Sequence, residues 1–301
     1  MMLIVKELSK KIDNKQILDN INLNIPKGSI YGIIGENGAG KTTLIRHLVG
    51  AYQGDRGFVE LEGMRVYENI EAKAKLVYIP DEFFDTFGHN IKDIKELYQG
   101  IYPTFDEERY IKLMKLFKHD SLENFNKFSK GMKKQVMFIL ALSIMPEYLI
   151  MDEPFDGLDP HIRKIIWDIL IQDVSERQMT IFISSHHLNE LDSMCDHIAL
   201  ISEGKIVFEE ALDHLKEGYH KLQIVLESGD DMYALEKELD VLAHQMMARV
   251  HTLIVKGNLE KIEATVAKYH PIINETLSLT LEEIFLFTLG GKYDELKGIL
   301  D

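Results

Sequence analysis

Short apolar runs separated by turn residues predict a series of strands at the start of the chain. Leu3–Leu8 and Ile21–Ile25 carry β-type patterns on either side of a turn at residues 13–15. Ile30–Ile34 is apolar on both faces, which is typical of a strand inside a parallel sheet. Thr42–Val49 then has helical spacing. Two further strands are predicted at Gly57–Leu61 and Lys75–Ile79.

The pattern changes to helical spacing between Ile91 and Met145. Asp106 begins one helix with an acidic first turn, and Ser129 is placed to cap another that runs to about Ile144. Strands and helices then alternate, which predicts a parallel sheet with crossover helices. The predicted elements are Tyr148–Met151, Ile162–Val174, Thr180–Ser184, Leu188–Met194, Ile198–Ile201 and Ile206–Phe208.

These elements predict an α/β fold in two domains. Residues 1–217 form the larger α/β domain, with a helical insertion at about residues 85–145. Residues 218–301 form a small C-terminal accessory α+β domain, whose length lies in the usual range for a domain. Its predicted strands are Leu222–Leu226 and Ala248–Val255, and its predicted helices are Met232–Gln245, Asn258–Lys268 and Leu281–Leu289.

Composition and charge exclude several classes of protein. The chain has 34 Lys and Arg against 49 Asp and Glu, a net charge of −15, and no stretch offers the basic face that nucleic acid requires. The single cysteine, Cys195, is expected to be buried in a protein of a reducing compartment. The longest apolar run, Val136–Met145, is half of what a bilayer crossing needs, so we expect a soluble chain without a signal peptide.

A glycine-rich loop follows the strand Ile30–Ile34. Residues 35–42 match the pattern of Gly, four residues, Gly-Lys-Thr, between an apolar strand and a helix. Its glycines let backbone amides wrap an anion at the start of the helix. Lys41 adds a positive charge for β and γ phosphates, and the Thr42 hydroxyl is a ligand for Mg²⁺. The pattern with its context predicts binding of a nucleoside triphosphate, but it does not say which class of NTPase this is.

Three more segments bring polar groups to the ends of predicted strands and helices. Asp152 ends an apolar strand, where a magnesium ligand is needed, and Glu153 is placed to polarise an attacking water. Ser129 and the Gly131 amide stand at a helix N-terminus that suits a second phosphate. His186 directly follows the strand Thr180–Ser184. Each segment alone has an ordinary structural explanation, so the functional interpretation depends on their order along the chain.

In that order, the motifs resemble the ATP-binding subunit of an ABC transporter, from about Leu3 to Glu210. The resemblance implies a P-loop NTPase fold with a parallel or mixed core sheet, an antiparallel β subdomain and a helical insertion. It also implies that Glu153 is the catalytic base and that His186 contacts the γ phosphate. The implied cofactors are ATP and Mg²⁺, with Thr42, Asp152 and Asp81 as metal ligands. The implied nucleotide-binding residues are Gly35, Asn37, Gly38, Gly40, Lys41, Thr42, Thr43, Ser129, Gly131 and Asp159.

Three positions depart from the commonest family pattern. The signature loop, Phe128–Met132, carries Lys130 where the family often has glycine. Asp81 stands where the family usually has glutamine, and a carboxylate can bind Mg²⁺ but cannot donate a hydrogen bond. Ile12 stands where an aromatic residue commonly stacks on adenine, so we expect weaker nucleotide binding.

The resemblance further implies how the subunit works. Two copies, or this chain and a second ATP-binding subunit, face head to tail, so that each ATP lies between one Gly35–Thr43 loop and the other subunit's Ser129–Gly131. A separately encoded membrane permease would carry the cargo, and the chain would lie at the cytoplasmic face of the membrane. The signature loop and the segment Leu279–Phe285 resemble those of ABC-2-type exporters of drugs, peptides or lipids.

Two other functions remain open at this point. A non-transport ABC ATPase, for example of the iron–sulfur assembly type, would use the same motifs. A nucleotide-dependent sensor with weak turnover would fit Ile12 and Asp81. The sequence names neither the cargo nor the direction of transport.

Overall fold

The computed structural model describes residues 2–81, 90–192, 194–227 and 229–283. The chain divides into two compact units. The first comprises the chain up to His187 together with Met194–Glu209, and the second comprises the segment that begins at Leu188 together with the chain from Glu210 onward. The division into independent domains at residues 217 and 218 stays a prediction.

The strands of both units alternate with helices for most of the chain. The strands are β1 (Met2–Ile12), β2 (Lys15–Pro26), β3 (Ile30–Ile34), β4 (Arg56–Leu61), β5 (Met64–Arg65), β6 (Leu76–Ile79), β7 (Tyr148–Asp152), β8 (Thr180–Ser185), β9 (His197–Ser202), β10 (Lys205–Ala211), β11 (Tyr219–Val225), β12 (Asp240–Met247), β13 (Val250–Lys256) and β14 (Ile273–Leu277). The helices are α1 (Lys41–Leu48), α2 (Ile70–Ala74), α3 (Ile91–Ile101), α4 (Glu107–Phe117), α5 (Lys130–Ser143), α6 (Pro160–Arg177), α7 (Leu188–Asp192), α8 (Leu212–Lys216), α9 (Gly229–Glu238) and α10 (Leu259–Ala267).

The first unit contains a six-stranded core sheet in the strand order β10-β9-β3-β8-β7-β6, in which the five strands from β9 to β6 are parallel. Strand β3 runs parallel to β8 and β9, and β7 runs parallel to β8 and β6. Every residue of β3, β7 and β8 is buried, which explains their continuous apolar runs. The parallel sheet predicted from the sequence is confirmed. Because these strands are parallel, their carboxyl ends meet at one edge, where the site residues follow.

A second sheet in this unit has the order β2-β1-β4-β5 and is antiparallel. Asp13 and Asn14 both adopt positive φ, 49° and 61°, as the tight hairpin turn between β1 and β2 requires. Apolar residues of both sheets and of α1 form one core cluster, which includes Leu23, Tyr31 and Leu44.

The predicted helical insertion is present as α3, α4 and α5. The side chains of Asn90 and Asp106 cap α3 and α4 by accepting hydrogen bonds from the backbone of Asp93 and Arg109. The Arg109 guanidinium also contacts the Asp173 carboxylate of α6 at 2.6 Å. The family resemblance also implies that the permease binds the helical insertion and a loop at Asp81–Phe87, and this loop lies, after Asp81, outside the described residues.

A charged cluster lies at the ends of β2, β4, β6 and β7, and we define it as Lys27, Glu62, Lys75, Glu147 and Tyr148. The Glu62 carboxylate lies 2.6 Å from the Lys75 ammonium and 3.0 Å from that of Lys27, and it accepts a hydrogen bond from the Tyr148 hydroxyl at 3.1 Å. The hydrogen bond from Lys75 and then that from Lys27 outweigh burial and lower the pKa of Glu62 to about 2.

The second unit contains an antiparallel sheet in the order β12-β13-β11-β14, with a core formed by its strands, α9 and α10. The predicted helix Met232–Gln245 is wrong in its second half, because α9 ends at Glu238 and β12 begins at Asp240. The strand β12 pairs with β13, and this non-local pairing overrides the local helical pattern. The strand β14 was not predicted.

Two further predictions concern the last predicted helix and the single cysteine. Leu281, Glu282 and Glu283 are helical, and the rest of the predicted helix Leu281–Leu289 lies outside the described residues. Cys195 is buried, as expected.

Candidate active site

The glycine-rich loop connects β3 to α1 in a conformation that requires glycine. Gly38 and Gly40 have φ values of 86° and 111°, and Gly40 is the residue directly before the helix. A Cβ atom at Gly40 would approach the Leu18 side chain to 2.9 Å. The loop therefore presents backbone amides at the start of α1, which is the arrangement that binds phosphate.

The Lys41 side chain folds back into this loop and is only 6% exposed. Its ammonium group donates hydrogen bonds to the carbonyl oxygens of Gly35 and Glu36. It also lies 3.3 Å from the Glu153 Oε1 atom. The positive charge is thus held by anionic and carbonyl oxygens at the position where phosphates would bind.

A cavity of about 370 Å³ opens above the loop. It is lined by Lys15, Ile17, Glu36, Asn37, Gly38, Gly40, Lys41, Thr42, Thr43, Asp81 and Glu153. The predicted adenine-packing residue, Ile12, is not among them. Ile12 is 37% exposed and pairs across the hairpin with Lys15, which does line the cavity.

Ser184 connects the two carboxylates that follow the apolar part of β7. Its hydroxyl donates to the Asp152 Oδ1 atom at 2.6 Å and accepts from the Glu153 backbone N–H at 3.1 Å. Asp152 is 1% exposed, so its carboxylate depends on this hydrogen bond. The result is a fixed orientation for Asp152 and for the backbone of Glu153.

The Glu153 side chain lies between Lys41 and His186. Its Oε2 atom accepts hydrogen bonds from the His186 backbone N–H at 3.3 Å and from the His186 Nδ1 atom at 2.9 Å. Because a carboxylate only accepts, Nδ1 carries the ring hydrogen when the imidazole is neutral. Glu153 itself has a φ of 43°, an uncommon backbone conformation that occurs often at active sites.

Asp81 is paired with two lysines of α5. Its Oδ1 atom lies 2.8 Å from the Lys130 ammonium and 3.2 Å from that of Lys134. Partial burial raises the pKa of Asp81, but the two ammonium groups together outweigh it and keep this pKa below its ordinary value. Lys134 is fully buried and also donates to the Glu153 carbonyl oxygen, and its burial lowers its pKa.

The other predicted nucleotide-binding residues do not line the cavity. Ser129 is exposed and caps α5 by accepting from the Met132 N–H at 3.3 Å. A Cβ atom at Gly131 would collide with the Gly157 carbonyl oxygen. The Asp159 carboxylate caps α6 through the N–H groups of His161 and Ile162 at 3.1 and 3.0 Å.

Two residues at the site were not predicted from the sequence. Ser184 is the last but one residue of β8, two residues before the predicted His186, and a hydroxyl at a buried strand end was the available signal. Lys134 stands just before Gln135 and the apolar run that begins at Val136, and its partner is distant in sequence.

Comparison with known proteins agrees with this geometry. The family described as ABC transporter matches residues 18–156. The chain is 29% identical over 293 residues to the ABC transporter ATP-binding protein YtrB of Bacillus subtilis, covering 97% of this chain and 99% of YtrB. It is 32% identical over 222 residues to the lantibiotic transport ATP-binding protein SrtF of Streptococcus pyogenes, covering 70% of this chain and 92% of SrtF.

The chain belongs to the ABC transporter ATP-binding proteins. A solved structure of an ATP-binding subunit of an ABC transporter superposes with a TM-score of 0.65 at 26% identity, covering 72% of this chain and 92% of that one. The fold is the ABC type of P-loop NTPase, and the activity of such a protein is ATP binding and hydrolysis coupled to transport. Among the residues that the structure describes, no helix combines the length and apolar character that a membrane crossing requires.

Proposed function

We propose that this chain drives the export of an antibiotic peptide by hydrolysing ATP for a separate membrane permease. The relative SrtF is named for lantibiotic transport, and lantibiotics are peptides. The segments Phe128–Met132 and Leu279–Phe285 resemble those of exporter subunits, which favours export over import. The chain would bind the permease at the cytoplasmic face of the membrane.

The position of the Glu153 carboxylate between Lys41 and His186 is the observation that carries the proposal. A general base must be oriented toward the water that it activates. Here His186 holds Oε2 at 2.9 Å, while Oε1 lies 3.3 Å from Lys41. A bound triphosphate gives the Lys41 ammonium a stronger anionic partner, which leaves Oε1 available to accept the proton of water. In this proposal His186 keeps Glu153 in place and contacts the γ phosphate.

The polar groups around the cavity fit a magnesium ion. Mg²⁺ prefers oxygen ligands; the Thr42 hydroxyl and the Asp81 carboxylate line the cavity, and the buried Asp152 carboxylate would supply a third ligand. Ser184 occupies Oδ1 of Asp152, so Oδ2 is the atom that would bind the ion. When bound, the ion would neutralise charge that develops on the phosphates. Gly35, Asn37, Gly38, Gly40 and Thr43 would bind the phosphates through the loop.

Ser129, Gly131 and Asp159 have their proposed roles in the neighbouring subunit's site. These residues do not line the cavity of their own chain, and Ser129 and Asp159 are exposed. A head-to-tail pair of ATP-binding subunits would bring them to the other subunit's nucleotide. Binding of ATP would then hold the pair together, and hydrolysis would release it.

The substitution Glu153→Gln tests the catalytic role. It keeps the shape of the side chain but removes the base, so ATP hydrolysis should fall by about 10²-fold or more. ATP-dependent dimers should accumulate in analytical ultracentrifugation. Glu147→Gln, at the opposite end of β7, is the matched control and should hydrolyse ATP at the wild-type rate. Normal hydrolysis by the Glu153→Gln protein without dimers would refute the mechanism.

The cargo class has a separate test. The tagged full-length chain should purify from membranes with a polytopic membrane protein. The ATPase rate of that complex in lipid should rise when a lantibiotic is added. A small hydrophobic drug should have less effect. Stimulation by the drug alone would contradict peptide export but would leave ATP hydrolysis untouched.

A further inference from the structure

Asp156, His186 and His187 come together beside Glu153. Each can offer one ligand atom, and these atoms all lie within 4.8 Å of one another. The two imidazole rings are close, with their centroids 3.8 Å apart. His187 is exposed and the other two are half-buried, so an ion from solution can reach the three side chains.

The hydrogen bond between His186 and Glu153 prepares one of these groups as a metal ligand. With Nδ1 bound to the Glu153 carboxylate at 2.9 Å, the neutral ring keeps its lone pair on Nε2. Metal-binding histidines almost always make such a second hydrogen bond, commonly to a carboxylate, because it orients the ring and makes the other nitrogen more basic. This contact is independent of the distances among the three candidate ligands.

We propose that Asp156, His186 and His187 bind a divalent transition-metal ion such as Zn²⁺. Two imidazoles and one carboxylate are a typical ligand set for zinc, with a further position open to water. Zn–N and Zn–O distances of about 2.0 Å place ligand atoms closer together than 4.8 Å. Small side-chain rotations would therefore complete the shell. Mg²⁺, which prefers oxygen ligands, would not bind here.

The site has a consequence that rests on the proposed function of His186. An ion on the His186 Nε2 atom engages the nitrogen that would otherwise contact the γ phosphate. It also ties the histidine to Asp156, in the loop that follows β7. Zinc would therefore slow ATP hydrolysis while it is bound, and removal of zinc by a chelator would restore the rate.

Zinc binding is measured first, without nucleotide, by competition between the full-length protein and a chromophoric chelator. His187→Ala should weaken binding at this site tenfold or more. The matched controls His214→Ala and His251→Ala remove histidines that pair with Glu210 and His244, and they should leave this site unchanged. Wild-type affinity in the His187→Ala protein, or loss of binding in the His251→Ala protein alone, would overturn the proposal.

ATPase inhibition is measured next at constant Mg²⁺. Wild-type protein should lose activity as free zinc rises, and His187→Ala should need at least tenfold more zinc for the same loss. Its rate without zinc should equal that of the wild type. Equal inhibition of both proteins would contradict the link to His186. An absence of ATPase activity in all of them would refute the proposed function, while the binding result would stand.

Discussion

The buried Lys134 ammonium lies 3.2 Å from the Asp81 carboxylate, although 53 residues separate them in the chain. The same ammonium donates to the Glu153 carbonyl oxygen. The residue that replaces the usual glutamine is thereby connected to the backbone of the proposed catalytic base. The replacement is therefore accompanied by two cations, Lys130 and Lys134, that neutralise the added charge.

Asp81→Ala should destabilise the protein by about 1–3 kcal/mol, because it leaves the buried Lys134 without its carboxylate. Adding Lys134→Met should recover part of that loss, since the double variant has no uncompensated charge. Urea unfolding of both single variants and the double variant gives the coupling free energy. Strict additivity of the two effects would show that the pair does not interact.

Ser184→Ala should lower the ATPase rate about tenfold, because it removes the hydroxyl that orients Asp152 and the Glu153 backbone. It should also lower the free energy of unfolding by about 1–3 kcal/mol, since two buried polar groups lose a partner. Ser143→Ala is the control, because that buried hydroxyl donates to the Ile139 carbonyl oxygen in its own helix. An equal loss of activity in both variants would mean that Ser184 has no special role.

Gly131→Ala should destabilise the protein by about 1–3 kcal/mol, because the added methyl group meets the Gly157 carbonyl oxygen and a backbone atom cannot easily move. Gly100→Ala, in α3, has open space around its Cβ position. That control should gain about 0.5–1 kcal/mol from its better helix propensity. Thermal unfolding of the two variants in parallel should show shifts of opposite sign.

The charged cluster around Glu62 predicts a pH dependence of stability. The pKa of Glu62 falls from an ordinary value of 4.5 to about 2 in the folded protein. Its contribution, on the order of 2 kcal/mol, is therefore complete above about pH 4.5 and is lost as the pH falls toward 2. The free energy of unfolding of Glu62→Gln should lie below that of the wild type at pH 7, and the difference should vanish near pH 2. Glu60→Gln, outside the cluster, should show a smaller difference at pH 7.

Local patterns predicted the elements whose structure depends on near neighbours. The strand Ile30–Ile34 and the glycine-rich loop that follows it lie at their predicted positions, because apolar runs and glycine spacing act over a few residues. The caps at Asp106 and Ser129 are also as predicted, since a cap needs only the next turn of helix. The helix predicted to extend to Gln245 is wrong because pairing of β12 with β13 decides that segment.

The sequence by itself thus determined the ABC-type fold, the loop at Gly35–Thr43 and the identity of the candidate catalytic groups. Only the tertiary structure decided which of these groups touch one another. It placed Glu153 between Lys41 and His186, joined Asp81 to Lys134, and set Gly131 against Gly157. The physical reason is that periodicity and spacing describe neighbours along the chain, whereas these contacts depend on how parallel strands and crossover helices align their ends.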